Sequence, residues 1–158
     1  MSGFSIAPAL ATADLPEIRR LFRAYAESLP VDLAYQGFEE ELAGLPGKYA
    51  PPAGALLIAR GADGRAAGCV ALRPIASECV CEMKRLYVVP EARGSGLGGA
   101  LIAAVIESAR VARYREMRLD TLPTMSAAQA MYARAGFREI APYYPTPIEG
   151  TIFLALSL

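Results

Sequence analysis

Leu86-Tyr-Val-Val-Pro-Glu-Ala-Arg-Gly-Ser-Gly-Leu-Gly-Gly-Ala-Leu101 runs from an apolar strand through a glycine-rich loop into a helix. Such a junction aims several backbone N–H groups and the positive end of a helix dipole at one spot, which suits a phosphate. Gly94, Gly96 and Gly98 let the backbone come close with no Cβ in the way, and Arg93 adds charge or shapes the loop. Two phosphate motifs fail here. A P-loop counted from Gly94 needs lysine and a hydroxyl where Ala100 and Leu101 stand. The dinucleotide fingerprint is formally met by Gly94, Gly96 and Gly99, with Asp120 at a later strand end. In that motif, however, the first glycine ends the strand directly, whereas Pro90-Glu-Ala-Arg93 intervenes here.

Outward from the loop, the chain divides into strands and helices. Phe4–Pro8 reads as a strand, and Asp14 as the cap of a helix whose apolar stripe runs from Leu15 to Leu29. Phe38–Leu42 fits a short helix. Ala55–Arg60 and Ala66–Arg73 form a hairpin around Gly61-Ala-Asp-Gly64, and Cys79–Val89 is a longer strand. Gly96–Tyr114 is a helix and Met117–Thr121 a strand. Ser126-Ala-Ala-Gln129 is a capping-box pattern opening a helix that ends at Gly136. Phe137–Ile140 and Thr151–Leu156 are the last strands. This order implies an α/β chain with a mixed sheet of six to seven strands, flanked on both faces by about four helices. With 158 residues it is a single domain, 1–158.

Composition narrows the partners. The chain is 54% hydrophobic with formal net charge zero, so nothing points to nucleic acid or an anionic membrane. Its apolar runs fall far below the roughly 20 residues of a membrane span. Met1-Ser-Gly-Phe-Ser-Ile6 has no basic region and no long apolar core, so a cytoplasmic protein is expected. Cys69, Cys79 and Cys81 read as reduced thiols, and Cys79 and Cys81 as small buried hydrophobes of a strand. No histidine is present, so metal binding and histidine-based catalysis are not expected. Any acid or base is then a carboxylate, tyrosine, lysine, cysteine or bound water.

Arg93-Gly-Ser-Gly96-Leu-Gly98, preceded by a strand ending Leu-Tyr-Val-Val-Pro, resembles the acetyl-CoA loop of the GNAT superfamily of acyl-CoA N-acyltransferases. Upstream lies Cys81-Glu-Met-Lys-Arg-Leu-Tyr-Val88. Downstream, Ala128, Tyr132, Gly136 and Phe137 match that superfamily's second pattern, so the resemblance covers Cys81–Phe137. It implies that acetyl-CoA is the co-substrate, held by Leu86, Tyr87, Val88, Arg93, Gly94, Ser95, Gly96, Leu97, Gly98 and Gly99, with the pantetheine arm along Leu86–Val88. It implies a small-molecule or amino-acid-like amine as acceptor, attacked in a ternary complex. The alternatives are a protein acetyltransferase, with Glu39-Glu40-Glu41 holding a basic peptide, and a non-catalytic acyl-CoA sensor.

The resemblance also places Tyr132 as general acid near the CoA sulfur; a phenol with pKa near ~10 can donate at neutral pH. Glu82 matches the position of a base glutamate in one branch. Strand alternation puts Glu82, Lys84, Leu86 and Val88 on one face, so Glu82 is either a base or the partner of Lys84. Tyr25, Arg73, Tyr143 and Tyr144 are substrate candidates, with Ser28, Tyr35 and Gln36 beside them. Arg73 binds either a substrate carboxylate or an internal acid. The apolar strand Ile152–Leu156 either pairs two subunits into a homodimer or closes its own sheet.

Overall fold

The computed structural model describes residues 3–75 and 79–158; Met1 and Ser2, part of the N-terminal segment read above, lie outside them. Among the described residues are seven strands and four α-helices: β1 Ser5–Pro8, α1 Asp14–Ser28, α2 Phe38–Ala43, β2 Ala55–Arg60, β3 Ala66–Pro74, β4 Val80–Val88, α3 Leu97–Val111, β5 Glu116–Thr121, α4 Ser126–Ala135, β6 Arg138–Ile140 and β7 Ile152–Ser157. Single 3-10 turns stand at Leu33–Gln36, Gly47–Tyr49 and Pro90–Ala92. The strands form one mixed sheet in the order β1-β2-β3-β4-β5-β7-β6. All neighbours are antiparallel except β4 and β5.

Each face of the sheet buries its own core. Ile18, Leu21 and Phe22 of α1 and Phe38 and Leu42 of α2 pack on Leu56, Ile58, Cys69 and Ala71. On the other face Leu97, Leu101 and Val105 of α3 and Tyr132 of α4 pack on Leu57, Val70, Leu72, Met83 and Leu119. Period-two alternation in β2 and β3 divides their side chains between these two layers. β7 lies between β5 and β6, so it closes its own sheet.

Three local expectations are corrected. Asp14 is inside α1; Ala13 is the N-cap, and the Asp14 carboxylate accepts from Arg60 at 2.8 Å. Ser126 makes no capping bond, and Gln129 reaches the carbonyls of Leu122 and Pro123 instead. The third bears on the site. β4 pairs with β3 in a register that skips a residue between Ala71–Lys84 and Cys69–Tyr87, and Arg85 sits at φ +61°. This β-bulge reverses the alternation beyond it. Leu86 and Val88 therefore join the α3 side with Met83, while Tyr87 joins Lys84 and Glu82 on the α1 side. Glu82 and Val88 do not share a face.

Candidate active site

β4 and β5 pair only over Val80–Glu82 and Glu116–Arg118, and then diverge. The divergence opens the sheet between Met83–Val88 and Leu119–Thr121. Two hollows meet there. The first is a groove of about 930 Å³ lined by Leu86, Tyr87, Val88, Arg93, Gly94, Gly96, Leu97, Gly98 and Gly99 on one side and by Thr124–Ala128 and Met131 of the α4 start on the other. The second, narrower cavity of about 40 Å³ lies between α1, the turn at Leu33–Gln36 and the two parted strands. Tyr25, Leu86 and Met125 line both, so the hollows are continuous.

The groove is shaped for an anion. Gly94 and Gly96 hold φ +79° and +87°, and nothing lies within 4 Å of where a Cβ would stand on either. Gly96 is the N-cap of α3, and no side chain caps that helix. The first intrahelical bond runs from Ala100 N to Gly96 O, leaving the earlier amides of the turn pointing out of the helix end. The Arg93 Nε donates to the Val88 carbonyl at 3.1 Å, and its guanidinium lies over the Tyr87 ring. Arg93 therefore holds the loop against the end of β4. Ser95 is absent from the groove lining and turns its hydroxyl back to the Ala92 carbonyl. These free amides and open glycine faces fit the diphosphate of a CoA thioester.

The family's sequence profile, described as the acetyltransferase (GNAT) family, matches residues 15–137. The chain belongs to that family. It is 39% identical to an uncharacterized N-acetyltransferase of Schizosaccharomyces pombe over 157 residues, covering 99% of this chain and 96% of that one. It is 43% identical to the aminoglycoside N(6')-acetyltransferase type 1 of Klebsiella aerogenes over 103 residues, 61% of this chain and 67% of that one. A Salmonella typhimurium protein solved with its cofactor acetyl-CoA shares the fold, with a TM-score of 0.72 at 19% identity over 99% of this chain and 94% of that one. This GNAT protein is an acyltransferase. Among the described residues, no helix is long and apolar enough to cross a membrane.

Of the residues singled out in the sequence, Tyr25, Tyr35, Gln36, Leu86 and Tyr132 line the cavity. Tyr132 is the acid candidate among them. It is buried on α4 against Phe137, and among the described residues its hydroxyl has no hydrogen-bond partner. Burial, with Tyr25 and Asp120 nearby, holds its phenol above the ordinary range. Tyr25 lies edge-on to Tyr87 at the junction of the hollows, its phenol pushed up to about 12 by burial, against the pull of Arg85. Glu82 is brought elsewhere. Its side chain is 2% exposed and lines neither hollow. Oε1 accepts from Arg73 at 2.8 Å and lies 4.0 Å from Lys84 Nζ, while Oε2 accepts from the Tyr143 hydroxyl at 2.5 Å. Arg73 thus binds an internal acid.

The Tyr143-Tyr144 pair is not an exposed recognition surface. Both rings stack edgewise on Phe153, and the Tyr144 hydroxyl donates to Asp120 at 2.6 Å. Each phenol clamps one carboxylate of the sheet, and burial, reinforced by that carboxylate, pushes its pKa up. In the acidic run, Glu39 pairs with Arg23 at the surface, Glu40 is exposed, and Glu41 is tied to Arg85.

Three residues not expected as catalytic, cofactor or substrate residues, Lys84, Arg85 and Asp120, all line the cavity. Arg85 is 2% exposed, bonds both oxygens of Glu41 at 3.0 Å and donates to Gln36 at 2.9 Å. Burial opposes its charge, but Glu41 outweighs that and raises the pKa. Lys84 Nζ also donates to Gln36, at 3.1 Å. Its pKa is lowered, chiefly by burial, with Glu82 pulling the other way. The signal was present: Lys84-Arg85 breaks the alternation of Cys81-Glu-Met-Lys, as a bulge does.

Proposed function

We propose that this chain is an acetyl-CoA-dependent N-acetyltransferase that acetylates the primary amine of a small molecule by direct attack in a ternary complex. The observation that carries the reading is the meeting of groove and cavity in the parted sheet, at Tyr25, Leu86 and Met125. Acetyl-CoA supplies the acetyl group as a thioester. The amides at the start of α3 neutralise diphosphate charge, and Arg93 keeps their loop in place. The strand edge of β4 beyond Glu82 is free of β5 and is available to pair with an extended arm.

Tyr132 is placed on the far side of the opening, protonated at neutral pH and with a free hydroxyl, and acts as the acid that returns a proton to the leaving sulfur. For the base, geometry favours Asp120 over Glu82. Asp120 lines the cavity, whereas both oxygens of Glu82 are already engaged. Glu82 then serves as a positioning residue that anchors Arg73, Lys84 and Tyr143 behind the cavity wall. No cysteine lines either hollow among the described residues, which supports direct attack over an acyl-enzyme.

The test is thiol release from acetyl-CoA with a panel of amines, followed by initial rates with both substrates varied. Intersecting double-reciprocal lines are expected. Parallel lines would indicate an acyl-enzyme, and no thiol release with any amine would sink the reading.

A further inference from the structure

The charges around the cavity do not all pair. Arg73 and Tyr143 already satisfy Glu82, and Arg85 and Glu41 satisfy each other through two bonds. That leaves Lys84 with only a 4.0 Å share of an oxygen that Arg73 already holds, and Asp120 with no cation among the described residues. Lys84 bonds only the neutral Gln36 directly and stands at 4.0 Å from the satisfied Glu82. Asp120 accepts only from the uncharged Tyr144 hydroxyl. Among the described residues, Lys84 and Asp120 form no ion pair with each other, yet both line the cavity.

Their positions follow from the sheet. Glu82 and Arg118 are the last paired residues of the parallel strands β4 and β5. Lys84 and Asp120 are each two residues further on, hence on the same face as that pair and opposite one another across the opening. Lys84 is buried and Asp120 half-buried, and holding such an ammonium and carboxylate apart costs more than pairing them. The cost is recovered when a ligand brings the complementary charge to each.

Building on the transferase reading, we propose that the acceptor is a zwitterionic amino acid with an apolar side chain, its ammonium held by Asp120 and its carboxylate by Lys84. A molecule whose two charged groups are separated by one or two carbons bridges such a gap with a charge-assisted hydrogen bond at each end. Leu29, Val31, Leu33, Leu122 and Met125 make up much of the remaining wall and suit a hydrocarbon side chain, and at about 40 Å³ the cavity must widen around it on binding. The depressed pKa of Lys84 agrees with a charge that lacks its full partner in the free protein.

The experiment compares kcat/KM of the wild-type protein for leucine, isoleucine and methionine with that for their α-amides, their decarboxylated amines, a short peptide and an aminoglycoside. The free amino acids are expected to exceed their amides by ~100-fold or more, since a site built for a charged partner rejects the analogue lacking it. Lys84→Met should shrink that ratio to within ~3-fold, with the melting temperature recorded to confirm the fold. Equal rates on acids and amides, or an unchanged ratio in Lys84→Met, overturn the proposal. Efficient acetylation of the aminoglycoside or peptide in preference to amino acids overturns it while leaving the transferase intact. Absence of thiol release with every acceptor overturns both.

Discussion

Gly96 holds φ +87° at the head of α3, a conformation that costs a β-branched residue on the order of 1–3 kcal/mol. Gly96→Val should lose acetyl-CoA binding by calorimetry while keeping its circular dichroism spectrum; unchanged affinity would remove the groove assignment. Tyr132 offers the hydroxyl that faces the cavity, so Tyr132→Phe should lower kcat by ~10²–10⁴-fold with little change in acetyl-CoA affinity. The two carboxylates separate by rate against stability. Asp120→Asn should slow turnover by ~10²–10⁴-fold with the fold intact. Glu82→Gln should keep most of the rate and lower the melting temperature, because Arg73 loses its acid and Lys84 its share of it. The reverse pattern would return the base role to Glu82. Alternation alone set Glu82 on a face with Val88, and no short-range pattern announces that Tyr143, 61 residues away, closes on its second oxygen.

The bulge in β4 joins sequence to site at the level of elements. By setting Lys84 and Arg85 on the same side, it sends Leu86 and Val88 to the groove and leaves two cations at the cavity. Arg85 is held at its positive φ by Glu41 of α2, so a short helix with little core of its own is tied to the strand that carries the chemistry. Removing one partner of a buried pair typically costs about 3–5 kcal/mol. Glu41→Ala should therefore lower the unfolding free energy in urea by about that amount, and a loss under 1 kcal/mol would show that the pair is dispensable. Most elements were legible because their signals are local. Gly61 to Gly64 marked the β2–β3 hairpin, Gly136 ended α4, and the glycines at Gly94–Gly98 marked the start of α3. The caps at Asp14 and Ser126 misled because longer-range partners won: Arg60 drew Asp14, and the turn carbonyls drew Gln129. The parting of β4 from β5 has no local signature, since it depends on where a strand pairing stops.

At the scale of the whole molecule, tyrosine is the titrating residue that burial perturbs most. Tyr25, Tyr49, Tyr132, Tyr143 and Tyr144 are all held above the ordinary phenol value, each chiefly by burial. They come from both cores and the active-site wall, so their protons report on the fold as a unit. An exposed phenol has a pKa of about 10. Above that pH the unfolded chain sheds protons that the native chain retains, so the native state binds more protons and stability falls as pH rises. Below about 10 their contribution is fully present. Lys84 has the opposite sign: its pKa is depressed in the fold, so the cost of its burial is relieved as pH climbs through its folded value toward the ordinary lysine range. Burial also raises the Cys69 and Cys81 thiols, which act with the same sign as the phenols from about 8.5 upward, so one lysine opposes these seven groups. Thermal melts from pH 7 to 11 should therefore be nearly flat at first, begin to fall above about 8.5 and drop steeply above about 10. Phenolate absorbance at 295 nm from the five buried rings should rise together with the loss of ellipticity. If those rings ionise fully while the protein stays folded, their burial in both cores and at the site is wrong.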